Sequence, residues 1–315
     1  MPFCFLLHIL ILADLYIGGK GSQKMKQDIK IGVVGGDTRL LATAHALARD
    51  GFRISCFGVP KSEGKYNGYK ICNTLEDAVR GAVAVIVGVP YSADGKWLNC
   101  PPEDYAVSVK ALLCNMTPGQ LLLGGRLDKG IYEAAGKHSI KAIDYFASEE
   151  LTVLNAIPTA EGAVEIAMKE LDISLRDARI LITGFGRVAK VLAHTLKGLG
   201  CGVDVSCRRK SESAWCRVYG YGFAPLEALK NDVGRYDVIF NTVPATVFTR
   251  ELLCNTDAVI IDLASVPGGV DTTAALELGV RVIRALSLPG KVAPKTAGEI
   301  IAGSVCDILT EEGIL

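Results

Sequence analysis

The chain has 315 residues, half of them hydrophobic, which is enough for two domains with cores of their own and argues against disorder. Its 34 basic and 34 acidic residues cancel, so no overall field favours nucleic acid, and the sequence holds no basic, aromatic-rich stripe. Ten scattered cysteines without a C-x-x-C pair fit a reducing compartment, and with four histidines no metal site is expected.

Residues 1–24 begin with an apolar run, Phe3 to Ile17, interrupted by His8 and Asp14. The run is short for a membrane-spanning helix and lacks the basic residues of a signal peptide. No membrane partner is expected, and either Met25 is the functional start or residues 1–24 are a dispensable extension.

Residues 29–34 read as a strand breaking into Gly35-Gly36, followed by a helix from about Leu40 to Arg49 and a strand from Phe52 to Phe57. The pattern imitates a dinucleotide-binding unit. Asp37, however, stands where the turn meets the helix, where it caps the helix and repels a phosphate. This domain is therefore expected to carry no cofactor of its own. Strands at Val83–Val89, Leu121–Gly124 and Ile140–Asp144 alternate with helices at Glu103–Cys114 and Gly130–His138, the rhythm of a doubly wound parallel sheet. The loop Tyr91–Lys96 follows a strand end and is a candidate wall of a cleft.

Asn155-Ala156-Ile157-Pro158-Thr159-Ala160-Glu161-Gly162 marks the expected domain boundary, with Pro158 stopping what precedes and Thr159 capping a helix to about Leu171. The domains expected are 25–155, 156–290, and a segment 291–315 whose helix returns to the first. Asn155, Thr159 and Glu161 are expected at an interdomain cleft.

The stretch Ile180 to Ala189, ILITGFGRVA, organises the rest. It reads as strand, tight turn and helix, with Ala189 in the third small position where helix and strand pack closely. The glycines let backbone approach a ligand, and the helix N-terminus that follows suits a pyrophosphate. Gly184, Phe185, Gly186, Arg187 and Val188 are therefore candidate cofactor residues. Val203–Cys207 forms the next strand. It ends without the acid that would bind the ribose 2′-hydroxyl of NAD, and Arg208-Arg209 suits the 2′-phosphate of NADP instead. Thr242, Val243 and Pro244 after the strand Tyr236–Phe240 border the cofactor. So do Asp262, Leu263 and Ala264 at the end of the strand Val259–Leu263, beyond which Gly268-Gly269 lets backbone near the nicotinamide. After a last strand, Val280–Ala285, the segment Leu288–Gly298 reads as a proline-bracketed loop carrying Lys291 and Lys295, ahead of a final helix from about Glu299 to Leu309.

Several separated motifs carry a resemblance: Asp144-Tyr145-Phe146 with Glu149-Glu150-Leu151, NAIPTAEGA from Asn155, ITGFGRVAK from Ile182, IDLASVPGGVD from Ile261, LPGKVAPKTAG from Leu288, and IGVVGGDTR from Ile31. Together they resemble the dipicolinate synthase A-subunit family from about Met25 to the C-terminus. The resemblance implies an α/β chain of two Rossmann-like doubly wound parallel-sheet domains, the C-terminal helix returning to the N-terminal one. It implies oxidation of dihydrodipicolinate to dipicolinate during sporulation, in the mother-cell cytoplasm. NADP is the implied acceptor and NAD the second option. The implied partner is the flavoprotein-like B-subunit of dipicolinate synthase, with a homo-oligomer of the chain itself also expected.

More distantly, the layout resembles 2-hydroxyacid and alanine dehydrogenases. Hydroxyacid enzymes keep a catalytic histidine in a proline-histidine-x-alanine-glycine loop; here Pro294-Lys295-Thr296-Ala297-Gly298 has lysine instead. On this reading Lys295 and Glu161 are the candidate acid–base residues, and Arg39, Asn155, Thr159 and Lys291 the candidate ligands of a small dicarboxylate. Two alternatives stay open: an amino- or 2-hydroxyacid dehydrogenase of the same architecture, and a non-catalytic NADP-binding scaffold for the flavoprotein.

Overall fold

The computed structural model describes residues 26–61, 64, 66–101 and 106–315. The expectations for residues 1–24 lie outside the described residues, as do positions 103–105 of the helix expected over 103–114. The chain divides into two compact units: a first that runs to Leu151 and resumes at Pro294–Leu315, and a second, Thr152–Ala293.

The first unit is a six-stranded sheet of β1 (Lys30–Val34), β2 (Arg53–Phe57), β3 (Lys70–Ile71), β4 (Ala84–Val87), β5 (Leu121–Gly124) and β6 (Lys141–Asp144), in the order β3-β2-β1-β4-β5-β6. All five pairings are parallel. A parallel sheet covered by helices on both faces needs apolar side chains on both, which is why β1 and β4 read as unbroken runs rather than alternating ones. Its helices are α1 (Thr38–Arg49), α2 (Leu75–Val79), α3 (Val109–Asn115) and α4 (Lys129–Lys137), with α5 (Glu149–Leu154) at its end.

In the second unit α6 (Ala156–Glu170) precedes a sheet of β7 (Ile180–Thr183), β8 (Val203–Ser206), β9 (Gly222–Phe223), β10 (Val238–Asn241), β11 (Val259–Asp262) and β12 (Val282–Arg284). The order β12-β11-β10-β7-β8-β9 repeats the winding of the first sheet, so strand order reverses between β7 and β10. Such switch points leave a crevice at the carboxyl ends of the strands. Its further helices are α7 (Arg187–Gly198), α8 (Lys210–Tyr219), α9 (Leu229–Asp232), α10 (Arg250–Leu253), α11 (Thr272–Leu278) and α12 (Leu288–Val292). Helix α7 buries Ala189, Leu192, Ala193 and Leu196 at helical spacing and stops before Gly200, whose φ is +82°. Burying Leu192 and Leu196 stabilises the unit by roughly 1.5–3 kcal/mol each.

The last helix, α13 (Pro294–Glu311), packs on α1 in the first unit. The contact is close: Thr43 Oγ1 donates to the Gly298 carbonyl at 3.0 Å. Both units are thus α/β Rossmann-like folds with doubly wound parallel sheets.

Two local expectations are corrected, both involving proline. Helix α6 begins at Ala156 with no side-chain cap from Asn155, so Pro158 lies in its first turn, and Thr159 Oγ1 donates back to the Asn155 carbonyl at 2.8 Å instead of capping. The segment expected as a loop, Leu288–Gly298, is α12 followed by the start of α13, with Pro289 and Pro294 in first turns. Proline lacks an N–H, but the first turn of a helix has no partners for its N–H groups, so proline begins helices as readily as it ends them. The sequence pattern also missed α8, a largely polar and exposed helix, and the two-residue edge strands β3 and β9.

Candidate functional site

The turn between β7 and α7 requires its glycines for different reasons. Gly184 has φ +91°, and a Cβ there would meet Thr242 Oγ1 at 2.5 Å. Its N–H donates to the Ser206 carbonyl at 2.7 Å, tying the tip of β7 to that of β8. Phe185 is buried, with its ring edge-on to Tyr221 at 6.4 Å, and anchors the turn in the core. Gly186 caps α7 without a side chain, and the direction of its missing Cβ is open space. The first-turn N–H groups of a helix twelve residues long therefore face an uncapped opening, where the dipole favours an anion.

Beside this turn lies a cleft of about 420 Å³, lined by Thr183, Gly184, Phe185, Ser206, Cys207, Arg208, Arg209, Glu212, Leu226, Val243 and Val247. Ser206 Oγ is buried without a hydrogen-bond partner among the described residues. A buried polar group in that state costs about 1–3 kcal/mol, which a ligand could recover. The uncapped helix end, the space at Gly186 and the orphaned hydroxyl together fit a dinucleotide, with pyrophosphate at α7 and adenosine toward the tip of β8.

At that tip the two arginines differ. Arg208 is exposed and makes no ion pair among the described residues. Arg209 lines the cleft, but its Nε donates to Glu212 Oε1 at 2.9 Å and its Nη2 bonds the same oxygen, while Glu212 Oε2 accepts from the Arg209 backbone N–H at 3.3 Å. Glu212 thus supplies one half of a capping box, the acceptor for the Arg209 N–H, and its ion pair engages the Arg209 guanidinium at the start of α8, so Arg209 is not the free cation expected. Burial alone would raise the Glu212 carboxyl, but its bonds to Arg209 outweigh this and hold it below the ordinary glutamate range. The Cys207 thiol is pushed by burial up to about 12, with the Glu212 carboxylate adding to the rise.

A polar chain crosses the carboxyl ends of the strands. Thr183 Oγ1 donates to Asn241 Oδ1 at 2.7 Å, and Asn241 Nδ2 donates to Asp262 Oδ1 at 2.7 Å and to the Val243 carbonyl at 3.1 Å. Asp262 also accepts from the Ala264 and Gly269 N–H groups, each at 3.2 Å, and pairs with Arg284. Asp262 is fully buried, so it shapes the loop rather than touching a cofactor, contrary to expectation. Ala264 is buried beside it and Leu263 half-buried. Thr242 Oγ1 donates to the Thr183 carbonyl at 2.8 Å, Val243 faces the cleft, and Pro244 is exposed. Arg187, exposed, and Val188, half-buried, form the first turn of α7.

The substrate candidates are distributed over both units. Asn155, Thr159 and Glu161 lie at the start of α6, half-buried for the first two and exposed for the third, and Lys291 is exposed on α12. Lys295, in the first turn of α13, is exposed and belongs to the first unit, so the two proton-transfer candidates sit on different units. Arg39 is buried. Its Nε donates to both Asp37 oxygens at 3.0 Å, and its Nη2 to Asp37 Oδ2 at 2.6 Å and the Val89 carbonyl at 2.7 Å. It braces the start of α1 against the loop after β4. Above the glycine turn of this unit the Asn99 carbonyl accepts the Gly36 N–H at 2.6 Å, so the loop after Tyr91 covers that turn.

Ser206, Glu212 and Arg284 were not anticipated. Asn241 was read only as the start of a loop bordering the cofactor, not as the centre of a buried polar chain. Glu212 was hidden because its capping partner is an arginine rather than the serine or threonine of the usual box.

The family model for the N-terminal domain of the dipicolinate synthase A-subunit matches residues 30–146. The dipicolinate synthase A-subunit of Bacillus subtilis (strain 168) is 28% identical over 292 residues, covering 91% of this chain and 98% of the relative. The crystal structure of the same subunit from Bacillus halodurans superposes with a TM-score of 0.80 at 24% identity, over 90% of this chain and 98% of that one. The crystal structure from Bacillus subtilis gives 0.78 at 27% identity, over 90% and 96%. With the N-terminal domain matched and the likeness running nearly end to end in both sequence and fold, the chain is similar to dipicolinate synthase A-subunits over almost its whole length.

Proposed function

We propose that this chain oxidises dihydrodipicolinate to dipicolinate with NADP as hydride acceptor. The observation that carries the reading is the uncapped N-terminus of α7 beside the cleft at Gly184–Gly186, in a chain with this likeness. The substrate loses a hydride and a proton from its ring, giving dipicolinate, reduced nucleotide and a released proton. Bound nicotinamide supplies the hydride acceptor. The gain in aromaticity drives the reaction, so the protein has to orient the ring, exclude water and provide one base.

The residues divide this work. Gly184, Gly186 and the first turn of α7 hold the pyrophosphate, and Arg208 answers the 2′-phosphate. Lys295, a compact and mobile charge, either clamps a substrate carboxylate or takes the ring proton, and Glu161 is the alternative base. Lys291, Asn155 and Thr159 are proposed to contact the dicarboxylate. Arg39 serves it indirectly, by fixing the start of α1.

The flavoprotein-like B-subunit of dipicolinate synthase is the proposed partner, in the cytoplasm of a sporulating mother cell, with this chain forming a homo-oligomer. Among the described residues no helix is long and apolar enough to cross a membrane.

The test is reduction of NADP by freshly generated dihydrodipicolinate, with and without the partner and against the spontaneous oxidation rate. Matched formation of dipicolinate and NADPH supports the proposal. Reduction driven by L-alanine or a 2-hydroxyacid instead would point to an amino- or hydroxyacid dehydrogenase, and no reduction with any substrate to a scaffold.

A further inference from the structure

The strand β8 ends at Ser206 without an acid, yet the fold brings one back. Glu212, in the first turn of α8, accepts from the Arg209 backbone N–H at 3.3 Å and lines the cleft together with Cys207, the residue that follows the strand. It lines the same cleft as Gly184 and Val243, and its side chain is only 14% exposed. That is the place where dinucleotide folds hold the acid that accepts the ribose 2′-hydroxyl. The neighbouring cation of Arg209 is engaged by Glu212 itself through Nε and Nη2, which partly offsets the carboxylate and leaves Arg209 without a free charge for a 2′-phosphate. Among the described residues lining this end of the cleft, Arg208 alone remains as a positive group without an ion pair.

We propose that Glu212 determines the nucleotide preference: its carboxylate accepts the ribose 2′-hydroxyl of NAD and opposes the 2′-phosphate of NADP. Arg208 pulls the other way, so the protein binds both nucleotides and favours NADP by less than about tenfold. Arg209 is a positioning residue, holding the carboxylate in the cleft and partly neutralising it. This inference rests on the dinucleotide reading of the cleft.

The experiment is titration of the full chain with NADH and with NADPH, read by nucleotide fluorescence, for wild type, Glu212→Gln, Arg208→Gln and Arg209→Gln. Glutamine keeps the shape of Glu212 and one acceptor oxygen while removing the charge. The ratio of NADH to NADPH dissociation constants should rise about tenfold in Glu212→Gln and fall by a similar factor in Arg208→Gln. In Arg209→Gln it should also fall, because Glu212 then carries its charge uncompensated. A structural role confined to the cap of α8 would weaken both nucleotides together and leave the ratio unmoved, and an unmoved ratio in Glu212→Gln with both nucleotides bound overturns the proposal. If wild type binds neither nucleotide, the dinucleotide reading itself fails and this inference falls with it.

Discussion

Gly298 of α13 lies directly against the backbone of Arg39 in α1: an added Cβ would stand 2.6 Å from the Arg39 carbonyl oxygen and 2.5 Å from Ala42 Cβ. Only a residue without a side chain lets the helices approach this closely, and the contact fixes the first turn of α13, which carries Lys295, against the first turns of α1.

Gly298→Val is therefore expected to destabilise the first unit by about 1–3 kcal/mol through overpacking. Urea unfolding measures this, with Gly303→Ala on the same helix as a control, since no atom lies within 4 Å of a Cβ there. A wild-type midpoint for Gly298→Val would show that the helices do not meet as described.

Asn241→Ala should lower the stability of the second unit by about 3 kcal/mol, because unpaired buried polar groups cost roughly 1–3 kcal/mol each. The change removes the Nδ2 donor from Asp262 and the acceptor from Thr183, both buried. Calorimetric unfolding checks it, and a loss below about 1 kcal/mol would argue that water replaces the amide.

Gly186→Val separates a folding role from a binding role. Its φ is −80° and nothing lies within 4 Å of the added Cβ, so the unliganded fold should change by about 1 kcal/mol or less. Nucleotide affinity should fall by about tenfold or more, because the new side chain occupies the approach to the α7 N-terminus. Unchanged affinity would place the pyrophosphate elsewhere.

Lys295→Met should leave nucleotide binding intact and lower dihydrodipicolinate oxidation by roughly 10²-fold, the usual range for a lost acid–base group. Lys295→Arg distinguishes the two roles: a carboxylate clamp survives the exchange and a proton-transfer group does not. Wild-type rates in the methionine variant would remove Lys295 from the site.

The two sheets were legible because every central strand of a parallel sheet is an apolar run, and the second glycine turn because Gly184, Gly186 and Ala189 each meet a distinct steric demand. What the sequence concealed depends on contacts between segments. Asp262 looks like an acid bordering the cofactor until Asn241 and Arg284, 21 and 22 residues away, are seen to bond it. The pairing of Arg209 with Glu212 turns an apparent phosphate site into a helix cap. Pro158, Pro289 and Pro294 read as breaks, because a linear pattern does not distinguish the first turn of a helix from the end of the preceding segment.

The most direct test follows the hydride itself. Dihydrodipicolinate carrying deuterium at its hydride-donating ring carbon is oxidised by the chain in the presence of NADP, and the recovered nucleotide is examined by mass spectrometry. One deuterium in each reduced nicotinamide, matched mole for mole by dipicolinate, is the expected result. Dipicolinate formed at the same rate with no label in the nucleotide would contradict it and assign the electron acceptor to another component.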